Sequence, residues 1–322
     1  MILTSGGVNT ASFASVPGAC LEILHRDALQ NPAEVVNVLV RCLSDRWSTP
    51  FWDRLKRHAI IGNDTWFCPG HNKGNAYARS PFIGDFGELF APAGGLALSS
   101  DVSVSIQDLG DLSEPLQSTP MNAVMKKSAD TFGAAFTLYS TNGTSTSNNV
   151  MLMALLRPGD VILVDRNCHK SVHQAIVIAG ALPVYLHSAY NADLGIWLPV
   201  SIKEIGSSIQ RMEKAKMLPR MLILTSCTYE GAMYPVSKIA DLCNRHGVLF
   251  YADEAWLPYG RFHPAYMTND GSSARFNALG TGDGDGAHIV VQSTHKMLSA
   301  LSQASMIHIG QAFVECFASG NV

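Results

Sequence analysis

Charged residues are scarce in this chain: Asp, Glu, Lys and Arg make up 15% of 322 residues, and the formal net charge is −3. No basic excess is present to neutralise phosphate backbones or an anionic bilayer, which excludes nucleic acid and membrane surfaces as main partners. No apolar run reaches the roughly 18 residues of a membrane span. Met1 to Gly7 lacks the basic start and long apolar core of a secretory signal. Cysteine occurs seven times and never as C-x-x-C, so a disulfide framework is not expected and a reducing cytoplasm is. The G-x-x-x-x-G-K and H-E-x-x-H patterns are also missing, which removes a nucleotide P-loop and a thermolysin-like zinc site. What remains, with 47% hydrophobic residues, is a soluble, well-buried chain long enough for one large α/β domain or two modest ones.

Helical spacing is present at 32–43, through Val35, Val36, Val38, Leu39 and Leu43, and residues 51–58 read as a short amphipathic helix. Residues 1–50 are expected to be a linker or the remnant of a preceding domain. Residues 62–120 are rich in Gly, Pro, Ser and Asp, the composition of loop and short helix laid over another surface. Within them Cys68 and His71 offer two zinc ligands, but no second pair stands at suitable spacing and no metal site is expected. Neither an internal repeat nor a low-complexity segment is found.

From residue 120 onward the pattern is regular. Helices are predicted over 121–132, 147–156, 170–179, 202–216 and 238–246. Strands are predicted over 135–139, 161–164, 183–186, 221–225, 248–252, 289–292 and 305–309. The alternation predicts an α/β fold, a mostly parallel sheet with helices on both faces. In such sheets the loops that follow the strands line the edge where ligands bind. Segments 140–146, 165–169, 225–230, 253–256 and 292–296 should therefore converge.

Those segments carry the chemistry. Gln292-Ser293-Thr294-His295-Lys296 puts a lysine just past a strand, where a desolvated amine can attack a carbonyl; alone, the string reads as well as a surface lysine. Asn142-Gly143-Thr144-Ser145-Thr146 offers free N–H groups and hydroxyls at a helix start, suited to a phosphate or to ordinary capping. Asp253 emerges from a buried strand and can hold a cationic ring nitrogen or a metal, or cap the next segment, while the pleat turns Glu254 the other way. His169 can cap the following helix or offer its flat face to a ligand. His169 and His173 are spaced as chelators, but no Glu completes a zinc motif. A phosphate cup, a flat-faced histidine, a strand-end carboxylate and a strand-end lysine, in that order, are what pyridoxal phosphate requires.

The strings Pro69-Gly70-His71, Thr141 to Thr146 and Asp165-Arg166-Asn167-Cys168-His169-Lys170-Ser171 extend the pattern. Thr228-Tyr229-Glu230-Gly231, Asp253-Glu254-Ala255-Trp256, Ser293 to Lys296 and Ser302 to His308 complete it. From about residue 50 to 310 the chain resembles the large domain of the bacterial ornithine/lysine/arginine decarboxylases, pyridoxal-phosphate enzymes with the aspartate-aminotransferase type of fold (fold type I). The resemblance implies a cofactor-binding major domain over 51–322, with the carboxy-terminal small domain absent. It implies that Lys296 carries the cofactor as an aldimine and that Asp253 pairs with its ring nitrogen. Ala255 then packs beneath the ring, Trp256 lies near the phenolic oxygen and His169 stacks on the other face. Thr144, Ser145 and Ser293 bind the phosphate, and His295 is either a phosphate contact or a proton carrier. The implied reaction is decarboxylation of lysine or arginine, lysine slightly favoured, by a homodimer or higher homo-oligomer whose interface includes residues 62–120. Few residues follow Lys296, so a fragment, a degraded product or a short paralogue working with a full-length partner are all expected possibilities. The alternatives in function are a non-catalytic cofactor-binding or assembly subunit, or another pyridoxal-phosphate reaction such as transamination.

Overall fold

The computed structural model describes residues 2–4, 22–24, 31–60, 100–101, 109–110, 119–267, 276–280 and 285–319. Cys68, His71 and most of the 62–120 segment lie outside them. The chain divides into two compact units, Met1–Lys127 and Ser128–Val322.

In the first unit, strands β1 (Ile2–Thr4) and β2 (Glu22–Leu24) pair in parallel. Helix α1 (Pro32–Trp47) starts where it should: the Asn31 carboxamide oxygen accepts from the Ala33 N–H at 3.1 Å, and Pro32 stands where no amide hydrogen is needed. Helix α2 (Pro50–Ile60) follows, so both sequence-predicted helices are present and each runs slightly longer. The Lys127 ammonium donates to the Asp45 and Ser48 carbonyls at 2.7 and 2.9 Å, tying down the end of α1. Helix α3 (Pro120–Phe132) runs across the boundary into the second unit.

The second unit is built on one sheet. Its strands are β3 (Phe136–Ser140), β4 (Val161–Asp165), β5 (Leu182–Leu186), β8 (Met221–Thr225), β9 (Leu249–Asp253), β10 (Ile289–Ser293) and β11 (Ser305–Ile309). A short hairpin, β6 (Tyr190–Asn191) with β7 (Ile196–Trp197), stands apart. The seven-stranded order is β3-β11-β10-β9-β8-β4-β5. Only β11 runs against its neighbours; the rest are parallel. This is the mostly parallel α/β sheet expected from the alternation.

Helices cover both faces, and strand alternation assigns the residues. Ile162, Val164, Ile223, Tyr251 and Val291 pack under α4 (Gly143–Leu155) and α5 (Lys170–Ala179). Leu163, Leu222, Leu224, Phe250, Ala252 and Val290 pack under α6 (Ile202–Lys214) and α7 (Val236–His246). The chain moves one way along the sheet from β3 to β4 to β5, then back through β8 to β9. Crossovers of constant hand must change faces when that direction reverses, which is why α4 and α5 share one face and α6 and α7 the other. The reversal leaves a crevice beyond the carboxyl ends of β4, β8, β9 and β10. Helix α6 is a well-formed example of local coding: the Ser201 hydroxyl accepts from the Glu204 N–H at 3.1 Å, a cap worth about 1 kcal/mol.

The observed elements depart from expectation mainly at ends. Residues 143–146 are the first turn of α4 and not loop. The sequence reading missed the β6–β7 hairpin, whose strands are too short for a period to register, and the helix at 311–318.

Candidate functional site

A cavity of about 670 Å³ opens at the carboxyl ends of the parallel strands. Thr144, Ser145, His169, Asp253, Ala255, Trp256, Ser293, His295 and Lys296 all line it, so each sequence-predicted site residue is brought to one place. Every one of the segments expected to converge contributes to the wall.

The amino end of α4 forms one end of the cavity. Gly143 sits at φ +70°, the left-handed region that a side chain strains, and its N–H donates to the Gln303 carbonyl at 2.7 Å. The next residues place hydroxyls against β10 and β11. Thr144 Oγ1 lies 2.7 Å from Ser293 Oγ and 3.1 Å from Ser305 Oγ, and Ser305 donates to the Gln292 carbonyl at 2.8 Å. Because the Ser305 hydrogen goes to the Gln292 carbonyl, Thr144 donates to Ser305 and Ser293 donates to Thr144. Ser145 is exposed in the cavity wall. An anion-receptive helix start with adjoining hydroxyls results.

Asp253 ends β9 and is 3% exposed. The Asn148 amide donates to Oδ2 at 3.1 Å and the Ala255 N–H to Oδ1 at 3.1 Å. Burial raises its carboxyl, against the pull of these donors and of Lys296 and His169. No cation pairs with it among the described residues, so a positive group in the cavity is the partner it lacks. Asn148 is fully committed: it also donates to Ser171 Oγ at 2.9 Å and accepts from the Tyr251 hydroxyl at 2.7 Å.

Ser171 passes the network on to His169, whose Nδ1 lies 2.8 Å from Ser171 Oγ and accepts from the Ser171 N–H at 3.2 Å. With Nδ1 accepting, the ring is neutral and carries its proton on Nε2. Burial lowers its pKa in the same direction. His169 therefore caps α5 and also lines the cavity. His173 instead contacts Cys168 Sγ at 3.4 Å and the Tyr185 hydroxyl at 3.3 Å, and no group of metal-ligating side chains occurs among the described residues. Cys168 lines the cavity, but burial and the charges of Asp165 and Asp253 push its thiol up to about 12, far from a nucleophilic thiolate.

Lys296 lies on a short helix after β10, its ammonium 4.9 Å from the centre of the Trp256 ring. Burial lowers its pKa, opposed by Asp253, which favours the free amine that carbonyl chemistry uses. Trp256 meets Tyr229 edge to face at 5.0 Å. His295 Nδ1 donates to the Ala304 carbonyl at 2.7 Å, which leaves Nε2 as the nitrogen available to the cavity.

Two residues escaped the sequence reading. Thr225 lines the cavity at the end of β8 on the same face as Asp253, and its buried hydroxyl has no hydrogen-bond partner. Its strand-end position was the available signal. Asn148 was readable only as one helical turn beyond Thr144; its role depends on Asp253, 105 residues away in sequence.

Comparison with known proteins follows the same outline. A family profile described as Orn/Lys/Arg decarboxylase, major domain, matches residues 49–317. The lysine decarboxylase LdcA of Pseudomonas aeruginosa is 37% identical over 270 residues, covering 81% of this chain and 34% of its own length. The constitutive lysine decarboxylase of Escherichia coli K12 is 35% identical over 300 residues, covering 88% of this chain and 40% of its own. The biodegradative arginine decarboxylase of the same organism is 31% identical over 270 residues, covering 81% of this chain and 34% of its own. Among solved structures, Pseudomonas aeruginosa lysine decarboxylase A superposes with a TM-score of 0.71 at 32% identity, covering 86% of this chain and 37% of that one. The Escherichia coli constitutive lysine decarboxylase gives 0.69 at 30%, covering 99% and 44%. The chain thus spans well under half the length of the relatives it matches.

Proposed function

The chain belongs to the Orn/Lys/Arg decarboxylase family, and from that premise we propose that it binds pyridoxal phosphate through Lys296 and serves the decarboxylation of a basic amino acid, lysine before arginine. The observation that carries this reading is one cavity holding a cation-seeking buried carboxylate, an anion-receptive helix start, an unpartnered hydroxyl and a half-buried lysine. Those are complementary to the ring nitrogen, the phosphate, a ring substituent and the aldehyde of the cofactor. Pyridoxal phosphate supplies an electron-accepting ring and an aldehyde that amines attack.

This chain's residues have distinct tasks in that scheme. Partial burial disfavours the charged form of Lys296, against the pull of Asp253, and so eases release of the free amine. Asp253, held in place by the Asn148 amide and the Ala255 N–H, would keep a proton on the ring nitrogen. Thr144, Ser145 and Ser293 with the α4 amino end would hold the phosphate, and the Thr225 hydroxyl would donate to a ring oxygen. His169, fixed by Ser171, and Ala255 line the cavity and would hold the ring. Tyr229 and Trp256 shield the amine from water. His295, with Nε2 turned to the cavity, holds or moves a proton at that atom. Lysine is placed first because the relatives LdcA and the constitutive enzyme are named lysine decarboxylases. A cytoplasmic homodimer completes the reading; no described helix is long and apolar enough to cross a membrane.

The test is a visible spectrum of the chain with pyridoxal phosphate, then borohydride reduction and peptide mass mapping. A reduced adduct on Lys296 is expected; a chain that forms none overturns the reading. Release of CO2 from lysine faster than from arginine or ornithine is expected next. An adduct without CO2 from any of them would leave a binding subunit, and the reaction would be withdrawn.

A further inference from the structure

Behind the cavity, on the opposite face of the sheet, lies a chain of buried polar side chains that the site does not use. Thr137 on β3 meets His308 on β11, Oγ1 to Nδ1, at 2.8 Å. His308 Nε2 meets Gln292 Oε1 on β10 at 2.9 Å. The Gln292 amide nitrogen donates to Glu254 Oε2 at 2.7 Å, just past β9, and Glu254 Oε1 accepts the Ala278 N–H at 2.8 Å. His308, Gln292 and Glu254 are wholly buried and Thr137 is 3% exposed. Thr137, His308 and Gln292 lie on neighbouring strands in sheet order and Glu254 just past the next, so the chain is an oblique brace from β3 across β11 and β10 to the end of β9.

Its polarity is set throughout. The Gln292 carbonyl oxygen can only accept, so His308 Nε2 is the donor and Nδ1 accepts the Thr137 O–H. Burial holds the ring neutral, its pKa lowered to about 3. The surrounding layer is apolar, with Leu224, Ala252, Val290 and Met306 in it and the Phe132 ring 4.9 Å from His308. Apolar residues of the same volume would fill that layer without needing any partner, so a fully satisfied polar chain there specifies an arrangement more than it adds stability. What it specifies follows from neighbours: Glu254 adjoins Asp253, and Gln292 adjoins Ser293, three residues before Lys296.

We propose that Thr137, His308, Gln292 and Glu254 are positioning residues, a directional hydrogen-bonded brace that holds the ends of β9 and β10 so that Asp253, Ser293 and Lys296 meet one pyridoxal phosphate together. The inference rests on the cofactor reading above. It gains a sharp test from the polarity. At a pH above about 8, where Glu254 is ionised, Gln292→Glu sets two carboxylates against each other and breaks the brace. Adding Glu254→Gln restores it, because His308 donates to the new carboxylate, the new amide donates to the same carboxylate, and the Ala278 N–H donates to the new amide oxygen.

The measurement is the pyridoxal phosphate dissociation constant by absorbance titration at such a pH, with the rate of borohydride-trapped adduct on Lys296 and the melting temperature alongside. Gln292→Glu should bind about 10- to 100-fold more weakly, the range in which partners of ligating groups act at metal sites, and the double exchange should return to within about threefold of wild type. If Gln292→Glu does not fold, Thr137→Val removes one hydroxyl with little change of volume and should still weaken binding severalfold. Binding as tight as wild type in the folded single variants, or no recovery in a folded double exchange, overturns the brace while leaving the cofactor reading intact. A wild-type chain that takes up no pyridoxal phosphate overturns both.

Discussion

Asp253 and Glu254 are adjacent carboxylates, both sealed from solvent, and the sheet between them gives them different surroundings. Asp253 faces α4 and α5 and keeps two donors, Asn148 and the Ala255 N–H, with the cavity open beside it. Glu254 faces the α6 and α7 side and has both oxygens committed within the protein, to Gln292 and to the Ala278 N–H. Burial raises both, Glu254 up to about 8. The difference is one of completion: one face of the sheet ends in a charge awaiting a partner, the other in a closed chain. Extended backbone separates the two roles with a single residue step.

The largest break in that contrast comes from the open side. Lys296→Ala should abolish the borohydride-trapped adduct altogether, as read by peptide mass. Asp253→Asn should weaken pyridoxal phosphate binding by about 3–5 kcal/mol, the cost of removing one partner of a buried ion pair, measured by absorbance titration. Glu254→Gln replaces an equally buried carboxyl group and should cost only a few-fold. The closed chain can turn round: the new amide donates to Gln292, Gln292 donates to His308 Nε2, and Nδ1–H donates to Thr137. If the two carboxylate variants lose affinity equally, the contrast is wrong. Thr225→Val should cost about 1 kcal/mol of cofactor affinity, one hydrogen bond, with an unchanged melting temperature in the unliganded chain.

The smallest effect is on pH. Burial holds His288 down at about 4 and His308 at about 3, below the ordinary 6.5. The unfolded chain then binds more protons between those values, so this stability is fully present above about 6.5 and is lost as pH falls toward 4 and 3. Glu254, raised from 4.5 to about 8, has the opposite sign: its contribution is full below 4.5 and is lost as pH rises through 8. Melting temperature against pH should therefore fall off below about 6.5, where two histidines outweigh one carboxyl group, and also as pH rises from there toward 8. His288→Asn should flatten the acid limb, since its carboxamide oxygen still accepts from the Phe250 N–H that Nδ1 now serves at 3.0 Å and does not titrate.

Much of the site was legible because its residues follow strands. The strands at 221–225 and 305–309 and the helix at 170–179 fall where periodicity put them, since a long apolar or amphipathic run has one way to be buried. Lys296, Asp253, His169 and Thr144 were found by position, each at or just past a strand end. The turning away of Glu254 also followed from the pleat alone. The β6–β7 hairpin did not follow, because two residues carry no period.

Local sequence, then, determined the elements, their order and which edge of the sheet would carry the chemistry. Only the tertiary structure decided how the groups are paired. Asn148 reaches Asp253 across 105 residues, and Thr137 reaches His308 across 171. Hydrogen bonds between side chains need distances near 3 Å and fixed directions, and no pattern of spacing along the chain encodes those. They arise when strands distant in sequence become neighbours. That is why one face of the sheet holds an open charge and the other a closed brace.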